Sequence, residues 1–191
     1  MRKVVASEFV SLDGVVGSPE RWQLPYLDEE MGREIGAAME EADAMLLGRV
    51  TYEEWAAFFP SQSPEEVPSA DYMNEIPKFV VSRTLQGPLE WNNSTLLEGS
   101  LAEGLGELKR RPGKDISISG SPTLVRSLLE EDLLDELNLM VHPVVVGGGK
   151  RLFEDGGVQK ALQLVDSKTF STGVLYLTYR RWRWHARWPR S

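Results

Sequence analysis

Four short segments could carry chemistry, and each follows an apolar run. In the first, Leu46-Leu47-Gly48-Arg49-Val50-Thr51, a strand gives way to a helix after Gly48. The first turn of a helix leaves backbone N–H groups without intrahelical partners, and an anion satisfies them. Thr51 adds a hydroxyl donor, and the Arg49 guanidinium can fork onto a phosphate. The same residues also read as an ordinary helix start with a solvated arginine. The second segment, Val80-Val81-Ser82-Arg83-Thr84, sets polar groups just past a strand. Taken alone it is a strand end with a surface arginine. The third, Ile118-Ser119-Gly120-Ser121-Pro122-Thr123-Leu124, runs from a strand through a small-residue turn into a helix with Pro122 in its first turn. Small residues let a pyrophosphate approach the backbone, although the GxGxxG fingerprint is missing. The fourth, Val146-Gly147-Gly148-Gly149-Lys150, permits close backbone contact with a ligand or forms a flexible turn. Open α/β sheets bind ligands beyond the carboxyl ends of their strands, so the recurrence says more than any one segment.

Two acids could serve a reaction beside such a ligand. Asp13 lies in Ser11-Leu12-Asp13-Gly14 after the first strand, where aspartate before glycine is also a common turn pair. Asp28 precedes a helix, and with Glu29 and Glu30 it suits an N-cap and the helix dipole equally well. Trp22, Tyr26, Trp55, Phe58 and Phe59 could stack on a flat heterocycle or pack as core. His142, before Pro143 on an apolar strand, reads as structural. There are no cysteines, which removes disulfides, thiolate metal sites and cysteine nucleophiles. No His/Asp/Glu cluster has metal-ligand spacing, so no metal is expected, and no serine sits in a nucleophile elbow.

Hydrophobic periodicity supplies the elements that must position these groups. Strands are expected at residues 3–10, Ala42–Leu47, Lys78–Ser82, Ser94–Leu97, Asp115–Ser119 and Glu136–Val146. A final hairpin, Leu162–Ser171 and Val174–Arg181, turns at Thr172-Gly173. Helices are expected at Asp28–Glu41, with Met31, Ile35, Ala38 and Met39 on one face, and at Val50–Phe58, with Trp55 and Phe58 inward. Two more are expected at Leu101–Arg110 and Pro122–Glu131. The stretch Pro60–Pro68 reads as a surface loop. Alternating strands and helices with a terminal antiparallel pair predict an α/β fold with a mixed, mostly parallel sheet and helices on both faces. One domain over residues 1–181 and an Arg/Trp-rich tail over 182–191 are expected.

The chain has 191 residues, 41% hydrophobic and 26% charged, which is ordinary for a soluble globular protein. Its net charge is −8, and Arg180, Arg181, Arg183, Arg187 and Arg190 close the chain without an acid among residues 180–191. Setting those five positive charges aside leaves the rest near −13, a poor surface for nucleic acid. The first residues read into a strand rather than a leader, and no apolar run approaches membrane length. A cytoplasmic protein with no nucleic-acid or membrane partner is expected. The tail could bind membranes or single strands, but its tryptophans favour packing against the body or a partner subunit.

Gly48-Arg49-Val50-Thr51 and Ser82-Arg83 resemble the two NADPH-binding segments of dihydrofolate reductases. Ser11-Leu12-Asp13-Gly14, Gly120-Ser121-Pro122-Thr123-Leu124 and Asp135-Glu136-Leu137 through Pro143-Val144-Val145-Val146-Gly147-Gly148-Gly149 to Leu152-Phe153 are more similar to the reductase domain of the bifunctional riboflavin deaminase/reductase. Over residues 2–180 the chain is identified as a member of the RibD C-terminal-like group of the dihydrofolate-reductase superfamily. The resemblance implies a three-layer α/β/α fold, NADPH as cofactor, and a homodimer. It implies that Arg49, Ser82 and Arg83 hold the adenosine 2′-phosphate. Gly48, Thr51, Gly120, Ser121, Thr123 and Leu124 would hold the pyrophosphate side, and Gly147 and Gly148 would lie near the nicotinamide. Asp13 would sit beside it, and Asp28 would offer a second acid. The resemblance implies hydride transfer to a small pyrimidine- or pterin-like heterocycle, possible substrates including a ribosylamino-uracil, with Trp22, Tyr26 and Trp55 on the substrate side. A non-catalytic NADP-binding protein of the same fold is the alternative. Two departures stand out. Gly120-Ser121 replaces a frequent Gly-Gly, and Leu27 stands where dihydrofolate reductases carry their pterin-binding acid, which argues against folate.

Overall fold

Strand β1 (Val4–Ser11) feeds two cores at once, because successive side chains of a strand point to opposite faces. Val4, Ala6 and Val10 enter the main core, and Phe9 packs on the other face. The computed structural model describes residues 1–182. Helix α1 (Glu29–Glu41) crosses the second face and buries Met31 beside Met140, Phe170, Val174 and Tyr176. Strand β2 (Ala42–Gly48) is two-sided like β1. Ala44 and Leu46 join the main core, and Met45 and Leu47 join a cluster with Tyr52, Met73, Val80 and Trp91.

The remaining elements follow in sequence. Helices α2 (Arg49–Phe58) and α3 (Ala70–Glu75) precede strands β3 (Lys78–Val81) and β4 (Ser94–Leu96). Helix α4 (Leu101–Arg110), strand β5 (Asp115–Ser119), helix α5 (Pro122–Glu130) and strand β6 (Glu136–His142) come next. Strands β7 (Leu162–Thr169) and β8 (Leu175–Arg181) close the described chain. The sheet runs β4-β3-β2-β5-β1-β6-β8-β7. Pairing is parallel from β4 through β6, and β8 is antiparallel to both β6 and β7. Helices α4 and α5 contribute Leu105, Leu108, Leu124, Val125 and Leu128 to the main core, and α1, α2 and α3 cover the opposite face. This is the expected α/β/α arrangement with a mixed, mostly parallel sheet and a terminal hairpin. The parallel strands β1, β2, β3, β5 and β6 end along one edge, and their outgoing loops meet there.

Three details differ from the sequence expectations. Strand β6 stops at His142 rather than Val146, because Pro143 has no N–H to give the ladder and the chain turns to β1 instead. Leu12 N–H donates to Val144 at 2.9 Å there. Helix α3 follows the expected loop Pro60–Pro68, in a stretch for which no element is expected, and its C-terminal carbonyls are held by the buried ammonium of Lys78, which donates to Met73, Asn74 and Ile76. Phe58, expected inward, is exposed, and Trp55 is half-buried. Of the tail, only Trp182 is described, and it is partly exposed. Residues 183–191 lie outside the described residues. Among the described residues no helix is long and apolar enough to cross a membrane.

Candidate functional site

The ends of β2 and β5 are locked together by two hydroxyls. Gly48 N–H donates to Ser121 Oγ at 3.0 Å, and Ser121 Oγ donates to Thr51 Oγ1 at 2.6 Å. Glycine is needed at 48 because a Cβ there would lie 2.9 Å from Ser121 Oγ. Gly120 and Ser121 both take left-handed conformations, with φ of 69° and 61°, which swing the chain from β5 into α5. Ser121 adopts this turn despite its Cβ, so the serine at that position is accommodated. The acceptor role of Thr51 leaves its own hydroxyl proton available to a ligand.

Neither Gly48 nor Ser121 caps its helix with a side chain. By contrast, Ser100 and Glu103 close the N-terminus of α4 in a capping box. The N-termini of α2 and α5 therefore face the same cavity of about 680 Å³ without a side-chain cap. In α5, Pro122 has no N–H and Leu124 N–H is taken by Ser121 O, which leaves Thr123 N–H. Arg49, Arg83, Ser82, Thr123, Leu124 and Lys150 help to line the cavity. Open helix N-termini, hydroxyls and three cations form the donor set that phosphates need. The residues present fit a phosphorylated dinucleotide on that chemistry. Arg49 rests on Glu53 at 2.7 Å, an exposed i,i+4 pair. Ser82 Oγ accepts from Thr84 N–H and Leu85 N–H, so it shapes the turn that presents Arg83.

A second cavity, of about 900 Å³, shares Val50, Thr51, Ser121 and Lys150 with the first, so the two form one cleft. Its walls include Trp22, Trp55, Gly120, Gly148 and Val16. Trp22 is held by its indole N–H on Gly17 O at 3.1 Å. Tyr26 does not line the cleft. It joins Phe9 and Trp22 in setting ring edges around buried His142. His142 hydrogen-bonds Met140 O through Nδ1 at 2.8 Å, and burial holds its pKa below the ordinary histidine value. It is a neutral core histidine.

The two acids expected from sequence do not reach the cleft wall. Asp13 accepts from Ser11 Oγ at 2.7 Å, Val146 N–H at 3.1 Å and Gly147 N–H at 2.9 Å. These bonds hold its carboxyl down at about 2, so it has no proton to give at neutral pH. Asp13 is a clamp between the loop after β1 and the glycine loop, in which Gly148 lines the cleft and Gly147 does not. Asp28 caps α1, accepting from Met31 N–H and from Ser171 Oγ, each at 2.9 Å, and those bonds hold its carboxyl below the usual range. Both expected proton donors are therefore structural anions.

The acid that sequence reasoning missed is Glu8. It occupies the core-facing alternation Val4, Ala6, Glu8, Val10 of β1, lines the larger cavity and is 5% exposed. Burial alone pushes its carboxyl up to about 8. A charged residue at a core position of an otherwise apolar strand was the signal available in the sequence.

The RibD C-terminal domain family matches residues 2–176. The uncharacterized protein YyaP of Bacillus subtilis (strain 168) is 30% identical over 181 residues, covering 93% of this chain and 94% of that protein. Among solved structures, a Shewanella sp. PV-4 protein named for riboflavin biosynthesis superposes with a TM-score of 0.74 at 22% identity, over 95% of this chain and 99% of that one. The diaminohydroxyphosphoribosylaminopyrimidine deaminase/5-amino-6-(5-phosphoribosylamino)uracil reductase of Thermotoga maritima gives 0.66 at 15% identity, over 94% of this chain and 56% of that one. Dihydrofolate reductase from Enterococcus faecalis, complexed with NADP(H), gives 0.57 at 17% identity, over 94% and 96% of the two chains. The fold is that of the dihydrofolate reductases.

Proposed function

The chain belongs to the RibD C-terminal domain family, and from that premise we propose that it is an NADPH-dependent reductase of a small pyrimidine- or pterin-like heterocycle. The observation that carries this reading is the single cleft. Open helix N-termini and arginines stand at one end, and tryptophans stand at the other. When bound, the reduced nicotinamide would supply hydride to the substrate carbon. The chain's own work is binding and orientation, which can supply much of the rate of a hydride transfer.

In this reading Arg49 leaves Glu53 to take the 2′-phosphate together with Arg83. The exposed pair with Glu53 contributes about 0.3–0.5 kcal/mol, against about 1.5–3 kcal/mol for a hydrogen bond to a charged group. The exchange is favourable. Thr51 and the N–H groups of α2 and α5 receive the pyrophosphate. Trp22 and Trp55 offer flat apolar faces to the heterocycle.

A non-catalytic NADP-binding protein is the second reading, favoured by the withdrawal of Asp13 and Asp28 from the cleft. Fluorescence titration with NADPH, then absorbance at the nicotinamide band with a panel of pterins, pyrimidines and quinones, separates the two. The reductase reading expects saturable binding and oxidation by at least one compound. Binding without oxidation supports the second reading. No binding at millimolar NADPH overturns both.

A further inference from the structure

Glu8 does not line the cavity that carries Arg49 and Arg83, but it lines the larger cavity together with Trp22, Trp55 and Gly120. The register pairs Ser7 with Ser119, the last residue of β5, and Glu8 with Leu139 of β6. Beside Glu8 on the β5 side, the chain therefore turns away at Gly120 and opens the cavity. Its Oε1 is sealed and has no hydrogen-bond partner. An ionised carboxylate so placed would be costly, whereas a neutral carboxylic acid is not. A sealed carbonyl oxygen without a partner is better tolerated than a sealed donor, so the hydroxyl belongs on Oε2. The other ionisable groups that line the larger cavity are Glu20, Arg21, Glu54 and Lys150. Desolvation, rather than any of these charges, raises the Glu8 carboxyl.

We propose that Glu8 is the proton donor of the reduction, its carboxyl O–H protonating the nitrogen or oxygen of a C=N or C=O bond in a flat heterocycle walled by Trp22 and Trp55. The inference rests on the reductase reading. The substrate carbon gains hydride from the reduced nicotinamide, which is thereby oxidised. The electron pair of the C=N or C=O π bond takes the Glu8 proton, giving CH–NH or CH–OH. Glu8 is left a carboxylate, and a proton taken up from bulk solvent restores the acid. This deepens the substrate class to heterocycles with a reducible imine or carbonyl whose heteroatom can face β1.

The test compares the wild-type chain with Glu8→Gln and Glu8→Asp. Infrared spectra at pH 7 should show a protonated-carboxyl stretch in the wild type that Glu8→Gln removes and that titrates away near pH 8. With NADPH and an oxidising probe from the pterin, pyrimidine and quinone panel, Glu8→Gln should lower kcat about 100-fold or more. It should leave NADPH binding unchanged and abolish the fall in wild-type kcat above pH 8. Glu8→Asp should restore part of the rate. Equal melting temperatures near neutral pH, or a higher one for Glu8→Gln, establish that the variant folds. Absence of the protonated carboxyl at pH 7, or retention of kcat and its pH profile in Glu8→Gln, overturns the proposal while leaving the reductase reading standing. A wild type that binds NADPH and oxidises it with no probe overturns that reading, and this inference with it.

Discussion

At the scale of single residues, the decisive question is which carboxyls hold a proton. Asp13 and Asp28 accept backbone N–H bonds and are anions, whereas Glu8 is buried without a donor and is neutral. The consequences for stability have opposite sign. The folded Glu8 carboxyl titrates near 8 against an ordinary 4.5. Its contribution is fully present below about pH 4.5 and is lost as pH rises through about 8. Denaturant melts from pH 5 to 9 should therefore show the wild type losing on the order of a few kcal/mol relative to Glu8→Gln. Parallel curves for the two proteins would contradict burial as the cause. Asp13 behaves oppositely: its contribution is present above the ordinary value of 3.8 and is lost as pH falls towards 2. Asp13→Asn should speed amide exchange at Val146 and Gly147, since their acceptor loses its charge. A proton-donor role for Asp13 would instead show lost turnover with unchanged exchange. The role of Asp13 was not legible in the sequence. An Asp-Gly pair looks alike whether it turns a loop or clamps another one 133 residues away, and the partners of Asp13 are set by tertiary structure.

At the scale of elements, most of the framework was legible because the patterns are local. Leu101–Arg110 and Asp115–Ser119 are observed with the expected limits, the first bounded by a capping box and by Pro112-Gly113. Asp28 was readable as a helix cap for the same reason. What failed depended on distant partners. The apolar run Val144-Val145-Val146 continues the pattern of β6, but Pro143 and the Asp13 clamp divert it. Helix α3 is short and relies on Lys78, so its propensity alone does not reveal it. The lock between β2 and β5 is likewise invisible locally, since Gly48 and Ser121 are far apart in sequence. Gly48→Ala places a methyl group against Ser121 Oγ and should destabilise the fold by about 1–3 kcal/mol. It should also weaken NADPH binding by displacing the N-terminus of α5. Thermal unfolding with cofactor titration checks both, and a variant with wild-type stability and affinity would show that the close approach is not needed.

At the scale of the whole molecule, a strongly acidic chain gathers Arg49, Arg83 and Lys150 at the end of its sheet where two helices open. Strand order explains the gathering. β2, β3 and β5 are neighbours or next neighbours in the parallel part of the sheet, so segments 48–51, 82–84 and 120–124 converge although up to 76 residues separate them. The sequence told that each segment follows a strand, and topology made them one site. The substrate half was less legible because its walls come from residues that serve equally as core, Trp22 being both a cleft wall and a neighbour of His142.

The central claim is that this cleft selects a dinucleotide bearing a 2′-phosphate. Titrating wild type, Arg49→Ala and Arg83→Ala with NADPH and NADH, by nicotinamide fluorescence at fixed ionic strength, tests it most directly. Each substitution should cost about 1.5–3 kcal/mol for NADPH, roughly 10- to 150-fold in Kd, and leave NADH affinity nearly unchanged. Equal losses for the two cofactors, or none for either, would contradict the account.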